Sequence, residues 1–168
     1  AWGVKAESFE ALKSTGLPVA TKQACEDMLA YTERFLEAYY SLIVRAFRRH
    51  DTNHLLIGNR WQPSTANSEV LCRVAGKHLD VISVNYYTYG IDATYLRRLY
   101  EWSGRKPFFL SEFHYACPKE SGLPGGLNEV STQRERGLAY RNYVEQAAAL
   151  GFVVGIEWFS VLDQAVTG

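Results

Sequence analysis

The sequence predicts an α/β fold built on a parallel sheet. Strand-like apolar runs bounded by turn residues alternate with stretches of helix length: a helix, then three repeats of strand and helix, then a strand. β-Branched and aromatic residues concentrate in those runs, while the intervening stretches carry apolar residues at helical spacing. No linker, low-complexity segment or close repeat divides the chain. An alternation of this kind feeds right-handed βαβ units, whose parallel strands need crossover helices.

The elements follow in order. From Glu26 to Arg49, Met28, Tyr31, Phe35, Tyr39, Leu42, Val44 and Phe47 recur near helical spacing, and His50-Asp51-Thr52-Asn53 ends that helix. His54-Leu55-Leu56-Ile57-Gly58 is a short apolar run suited to a buried parallel strand. Ser68 to Lys77 reads as a short helix, and Asp80 to Tyr87 as a second strand rich in β-formers. Ala93 to Ser103 is helical, Lys106 to Glu112 is the third strand, and a Gly- and Pro-rich loop runs from Pro118 to Leu127. Thr132 to Leu150 is a strong helix, with Ser131 as its expected cap and Gly151 as its stop. Phe152 to Phe159 is the fourth strand.

The 168 residues can bury a sizeable core, but a closed (β/α)₈ barrel takes about 250. Eighteen basic residues balance eighteen acidic ones, so no global field favours nucleic acid or an anionic membrane as partner. Aromatic residues make up 14% of the chain, which suits stacking on sugars and suits a large core almost as well. Cys25, Cys72 and Cys117 form no Cys-x-x-Cys and leave an odd thiol, so no disulfide framework is expected. No run reaches the roughly 18 apolar residues of a membrane span. Ala1-Trp2-Gly3-Val4-Lys5 has neither an initiator Met nor the form of a signal peptide, and Val166-Thr167-Gly168 stops just after a motif-like segment. Both ends read as cuts in a longer chain. The compartment is left open, a secreted or periplasmic parent enzyme included.

In parallel α/β folds, chemistry gathers at the carboxyl ends of the strands. The second strand ends Asn85-Tyr86-Tyr87-Thr88, the third Ser111-Glu112-Phe113-His114-Tyr115, and the fourth Glu157-Trp158-Phe159 with Asp163-Gln164 a turn later. The first ends ambiguously, in Asn59-Arg60-Trp61. Because successive strand residues point to opposite faces, Asn85 and Tyr87 share the site face and Tyr86 belongs to the core.

These strand ends, in this order, resemble the last four strands of the large clan of retaining glycoside hydrolases built on (β/α)₈ barrels. The run from Pro107 to Phe113 looks like that clan's seventh strand, and Asn85-Tyr86-Tyr87-Thr88 looks like its sixth. Within the clan, the stretch from Ser131 through Trp158-Phe159 to Asp163-Gln164 and Thr167-Gly168 is most similar to β-agarase-like and β-galactosidase-like enzymes. Glu157 departs from the pattern, which has His or a small residue before the Trp.

The resemblance implies the carboxyl-terminal half of such a barrel, about strands five to eight. It implies Glu112 as catalytic nucleophile, with Tyr87 holding its carboxylate and Trp158 flooring the subsite of the cleaved sugar. Asn85, His114, Trp61 and Asp163 complete the expected substrate-binding set. The implied reaction is retaining hydrolysis of a β-linked, galactose-containing oligo- or polysaccharide, with no cofactor and no metal. Such enzymes use two carboxylates about 5–5.5 Å apart. Ala1-Trp2-Gly3 looks like the segment just after the Asn-Glu pair that carries the acid/base, so the second carboxylate and the other half-barrel are expected upstream. Glu7 and Glu10 are the nearest replacements, beyond any strand.

Plainer readings stand beside these. Glu112 could be a surface carboxylate, or could pair with His114 as a metal ligand, although no His-Glu-x-x-His or His-x-His spacing occurs. Trp158 and Trp61 could be packing, Asp163 a helix cap, Cys117 an inert loop thiol rather than a nucleophile, and Arg48-Arg49 a solvated helix end. The whole could be a carbohydrate-binding pseudo-enzyme. A nucleotide-binding doubly wound domain is disfavoured, because no Gly-x-Gly-x-x-Gly or P-loop follows any strand.

Overall fold

A computed structural model describes residues 2–162 of the chain. Its centre is a small open parallel sheet of β1 (Ile82–Asn85), β2 (Phe108–Phe113) and β3 (Val153–Trp158), in that order. Around it run α1 (Phe9–Leu12), α2 (Lys22–Arg48), α3 (Pro63–Ala66), α4 (Glu69–His78), α5 (Ala93–Trp102), α6 (Pro118–Ser121) and α7 (Gln133–Ala148). The alternation that predicted a parallel sheet is therefore the one observed.

The expected first strand is present only in part. Residues 57–61 run alongside β1 through two isolated parallel bridges, Ile57 with Val81 and Trp61 with Val84. Four steps on one side match three on the other, so this edge segment bulges at Asn59-Arg60. Two bonds still anchor its end, from Trp61 N to Ser83 O (3.0 Å) and from Asn85 N to Trp61 O (2.8 Å). Arg48, expected as a solvated helix end, instead pairs with Asp80 at 2.7 Å, and Asp80 also accepts from Leu56 N at 2.7 Å. That knot fixes where the chain leaves α2 and enters the sheet.

Caps explain the helix starts. The Thr21, Ser68 and Asp92 side chains accept from backbone N–H groups in the first turns of α2, α4 and α5. For α7 the cap is Thr132 rather than Ser131: Thr132 Oγ1 accepts from Glu135 N while the Glu135 carboxylate reaches back to Thr132 N, a reciprocal capping box. Ser131 N also donates to that carboxylate.

The core lies between one face of the sheet and α4, α5 and α7. Ile82, Val84, Phe108, Leu110 and Phe113 meet Val74, Leu96, Leu99, Tyr143 and Ala147 there, all buried. The ring of Tyr143 stacks on Phe113 at 3.9 Å and 4°, and its hydroxyl donates to Tyr86 O at 2.8 Å. Gly76 lets α4 close on the end of α5, since a Cβ there would meet Ser103 O at 2.0 Å. The opposite face of the sheet carries Ser83, Asn85, Ser111 and Glu112, and it is here that polar groups converge.

Candidate active site

Strict alternation along β2 would put Glu112 on the same face as Phe108 and Leu110, buried against the helices. It does not lie there, because the register slips. Val84 pairs with Leu110, but the next residue, Asn85, pairs with Glu112. Ser111 is the extra residue of a β-bulge, and Ser111 and Glu112 both come to the face that carries Asn85. Beyond the bulge, Phe113 returns to the helix side and stacks on Tyr143.

Among the described residues, three donors meet the Glu112 carboxylate. Asn85 Nδ2 donates to Oε2 at 2.8 Å, and Arg60 Nη2 donates to the same oxygen at 3.1 Å. The Tyr87 hydroxyl donates to Oε1. This arrangement suits the charged, acceptor-only form of a carboxyl group. Burial, and then the bond to Glu112, push the Tyr87 hydroxyl up from its usual range, so it stays protonated and remains a donor. The Glu112 side chain keeps 20% of its surface exposed, so a solute can reach it.

Behind the carboxylate lies a buried relay. Ser83 Oγ donates to Ser111 Oγ at 2.6 Å, and Ser111 Oγ donates to Asn85 Oδ1 at 2.9 Å. Arg60 Nε also donates to Asn85 Oδ1 at 3.3 Å, and Arg60 Nη2 to the Ser111 carbonyl. Arg60, Ser83 and Ser111 were not among the residues expected at the site. The visible signal for Arg60 was its position at a strand end, Asn59-Arg60-Trp61. The bulge that aims it leaves no mark in hydrophobic periodicity.

His114 packs edge-on against the Tyr87 ring at 4.9 Å. Its Nε2 accepts from Leu127 N at 3.2 Å, so it pins the loop after β2. Gly126 permits this approach, because a Cβ there would lie 2.1 Å from His114 Nε2. Burial holds the His114 ring below the ordinary histidine value of 6.5. The unfolded chain therefore takes up a proton near that pH while the folded chain resists it, and stability falls as pH drops below 6.5. The His114→Gln variant keeps a donor and an acceptor without a titrating group. Its urea midpoint, compared with the parent's between pH 7.5 and 5.5, is expected to fall less steeply.

Other expected positions behave differently. Tyr86 is in the core, stacked on Tyr95 at 5.8 Å. Trp61 is 6% exposed and packs in the core cluster with the buried Tyr40. Trp158 is half-buried and meets Phe113 edge-on at 5.4 Å and Tyr140 at 5.6 Å. Glu157 is exposed. Cys117 is buried at the start of α6. Asp163 and Gln164 lie outside the described residues. Among the described residues, no three His, Cys, Asp or Glu side chains are grouped to hold a metal ion, and no helix is long and apolar enough to cross a membrane.

No protein-family model matches the chain. Two beta-agarases of Vibrio sp. (strain JT0107) are similar to it from end to end. Beta-agarase B is 26% identical over 173 residues, which cover 99% of this chain and 18% of that protein. Beta-agarase A is 26% identical over 175 residues, covering 100% of this chain and 17% of that protein. The chain thus spans less than a fifth of the length of these relatives. Among solved structures, the agarase AgWH50C matches with a TM-score of 0.84 at 26% identity, over 99% of this chain and 24% of that one. An exo-beta-agarase matches with a TM-score of 0.84 at 28% identity, over 99% of this chain and 22% of its own. PfGH50B, at 24% identity and a TM-score of 0.86 over 99% of this chain and 24% of that one, shares the fold. The relation is to glycoside hydrolases of the beta-agarase kind, across the whole of this chain.

Proposed function

We propose that the chain is part of the catalytic domain of a retaining O-glycoside hydrolase acting on a β-linked, galactose-containing polysaccharide, with Glu112 as nucleophile. The observation that carries this reading is the setting of Glu112. It sits at the carboxyl end of the middle strand, gripped by Asn85, Tyr87 and Arg60, with a fifth of its side chain open to solvent. The similarity to beta-agarases supplies the substrate class.

In the reaction, a Glu112 oxygen attacks the anomeric carbon, the glycosidic C–O bond breaks, and the leaving oxygen takes a proton from an acid outside these 168 residues. Water, deprotonated by the same group, then releases the sugar from the glycosyl ester with its β-configuration restored. Fixed hydrogen bonds around the carboxylate hold it in place for attack. No cofactor is required. Trp158 is proposed as the floor of the cleaved-sugar subsite, with His114, which packs against Tyr87, and Asp163 as further substrate-binding residues.

The edge segment at 57–61 with β1, β2 and β3 corresponds, in this reading, to about strands five to eight of a (β/α)₈ barrel. The exposed apolar side chains of α2, among them Leu29, Tyr31, Phe35 and Leu42, and the free outer edge of β3 then face the remaining half-barrel of the parent protein. The test is hydrolysis by the full-length chain and its Glu112→Gln variant, which keeps the shape and loses the charge. Near-complete loss is expected, and retention of most of the activity overturns the assignment.

A further inference from the structure

We infer that Arg60 and Ser111 are positioning residues that lock the orientation of the Asn85 amide, and through it the Glu112 carboxylate. This deepens the proposed function and rests on it.

An amide side chain has an acceptor end and a donor end, and exchanging them costs little unless the surroundings distinguish the two. Here they do. Asn85 Oδ1 accepts from Ser111 Oγ at 2.9 Å and from Arg60 Nε at 3.3 Å, while Nδ2 donates to Glu112 Oε2 at 2.8 Å. Turned over, the amide would set an oxygen against the carboxylate oxygen and an N–H₂ against the Arg60 donor. The Ser111 hydroxyl has a direction of its own, because Ser83 Oγ donates into it at 2.6 Å and leaves its proton for Asn85. Ser83 and Ser111 are each 1% exposed, so water does not compete for these bonds.

Arg60 is the one charged member of the frame. A single guanidinium spans Asn85 Oδ1, the Ser111 carbonyl and Glu112 Oε2. It reaches them from the bulged edge segment, whose backbone is tied to β1 at Trp61. The planar fork of donors is what makes this possible, and an ammonium group would satisfy one of these acceptors well at best. Among the described residues Oε2 is thereby held by two donors and Oε1 by Tyr87, which gives the two oxygens different freedom to move.

The test is a pair of double-mutant cycles in the full-length enzyme, read as kcat and KM for hydrolysis of agarose oligosaccharides. Arg60→Met is expected to lower kcat by about tenfold to a hundredfold, as for loss of charge-assisted hydrogen bonds, and to leave KM within about twofold. Arg60→Lys is expected to recover part of that loss. In an Asn85→Ala background both Arg60→Met and Ser111→Ala should cost several-fold less than in the parent, because the group they orient is gone. Factors that simply multiply would overturn the inference. So would an Arg60→Met effect confined to KM, which would make Arg60 a direct substrate contact. If Arg60→Met does not fold, the Ser111→Ala and Asn85→Ala cycle decides alone. An active Glu112→Gln variant would bring down the underlying reading separately, whatever the cycles show.

Discussion

Replacing Glu112 with Gly in the full-length chain is expected to lower hydrolysis by roughly 10⁴-fold or more, and added azide to restore turnover of an activated aryl β-galactoside. Removing the side chain deletes the proposed nucleophile but leaves the donors of Asn85, Tyr87 and Arg60 around the space it occupied. A small anion can enter that space and attack the anomeric carbon from the face Glu112 would have used. The new C–N bond forms as the C–O bond breaks, and the electron pair leaves with the phenolate. One displacement inverts configuration, so the product is the α-glycosyl azide, whereas two successive displacements retain it. A β-glycosyl azide, or turnover untouched by the substitution, would contradict the assignment. Product configuration is read directly by proton NMR.

The second large effect is on stability. Tyr143→Ala is expected to cost about 3–5 kcal/mol in urea unfolding, against about 1 kcal/mol for Tyr143→Phe. The Tyr143 side chain is fully buried, its ring lies flat on Phe113 at 3.9 Å, and its hydroxyl donates to Tyr86 O at 2.8 Å. Truncation to Ala empties a space the surrounding rings cannot fill, whereas Phe keeps the packing and loses one hydrogen bond. The consequence reaches the site, because Phe113 directly follows Glu112 and Tyr86 directly precedes Tyr87. Both partners of Tyr143 therefore carry a site residue as neighbour. Equal costs for the two variants would mean that the Phe113–Tyr143 stack is not what fixes the ends of β1 and β2.

The helices and the three strands were legible in the sequence because their apolar spacing is regular. Glu112 was legible as a carboxylate after an apolar run, and Asn85 and Tyr87 shared a face by simple alternation. What the sequence hid was every departure from period. Alternation alone would have turned Glu112 into the core, and only the slip at Ser111 brings it out. The same holds for Arg60, which an irregular edge segment swings beneath Asn85 and Glu112. Bulges depend on the pairing partner, and a pairing partner is not written in the strand itself. The setting of Trp61 was hidden too: an aromatic residue at a strand end has the same appearance whether its ring is open or, as here, packed in the core with Tyr40. The cap of α7 was missed by one residue, since Ser131 and Thr132 are both good caps and the reciprocal bond with Glu135 selects the second.

In the proposed mechanism Glu112 becomes covalently bonded to sugar. The most direct measurement uses a 2-deoxy-2-fluoro β-galactoside with a good leaving group, which slows both displacements but release of the sugar more than its attachment. After reaction with the full-length enzyme, proteolysis and mass spectrometry locate the attached sugar. One fluorosugar is expected on the peptide bearing Ser111-Glu112-Phe113, fragmenting to Glu112 itself, with loss of activity in step with labelling. A label on a different carboxylate, with the Glu112 peptide unmodified, would contradict it.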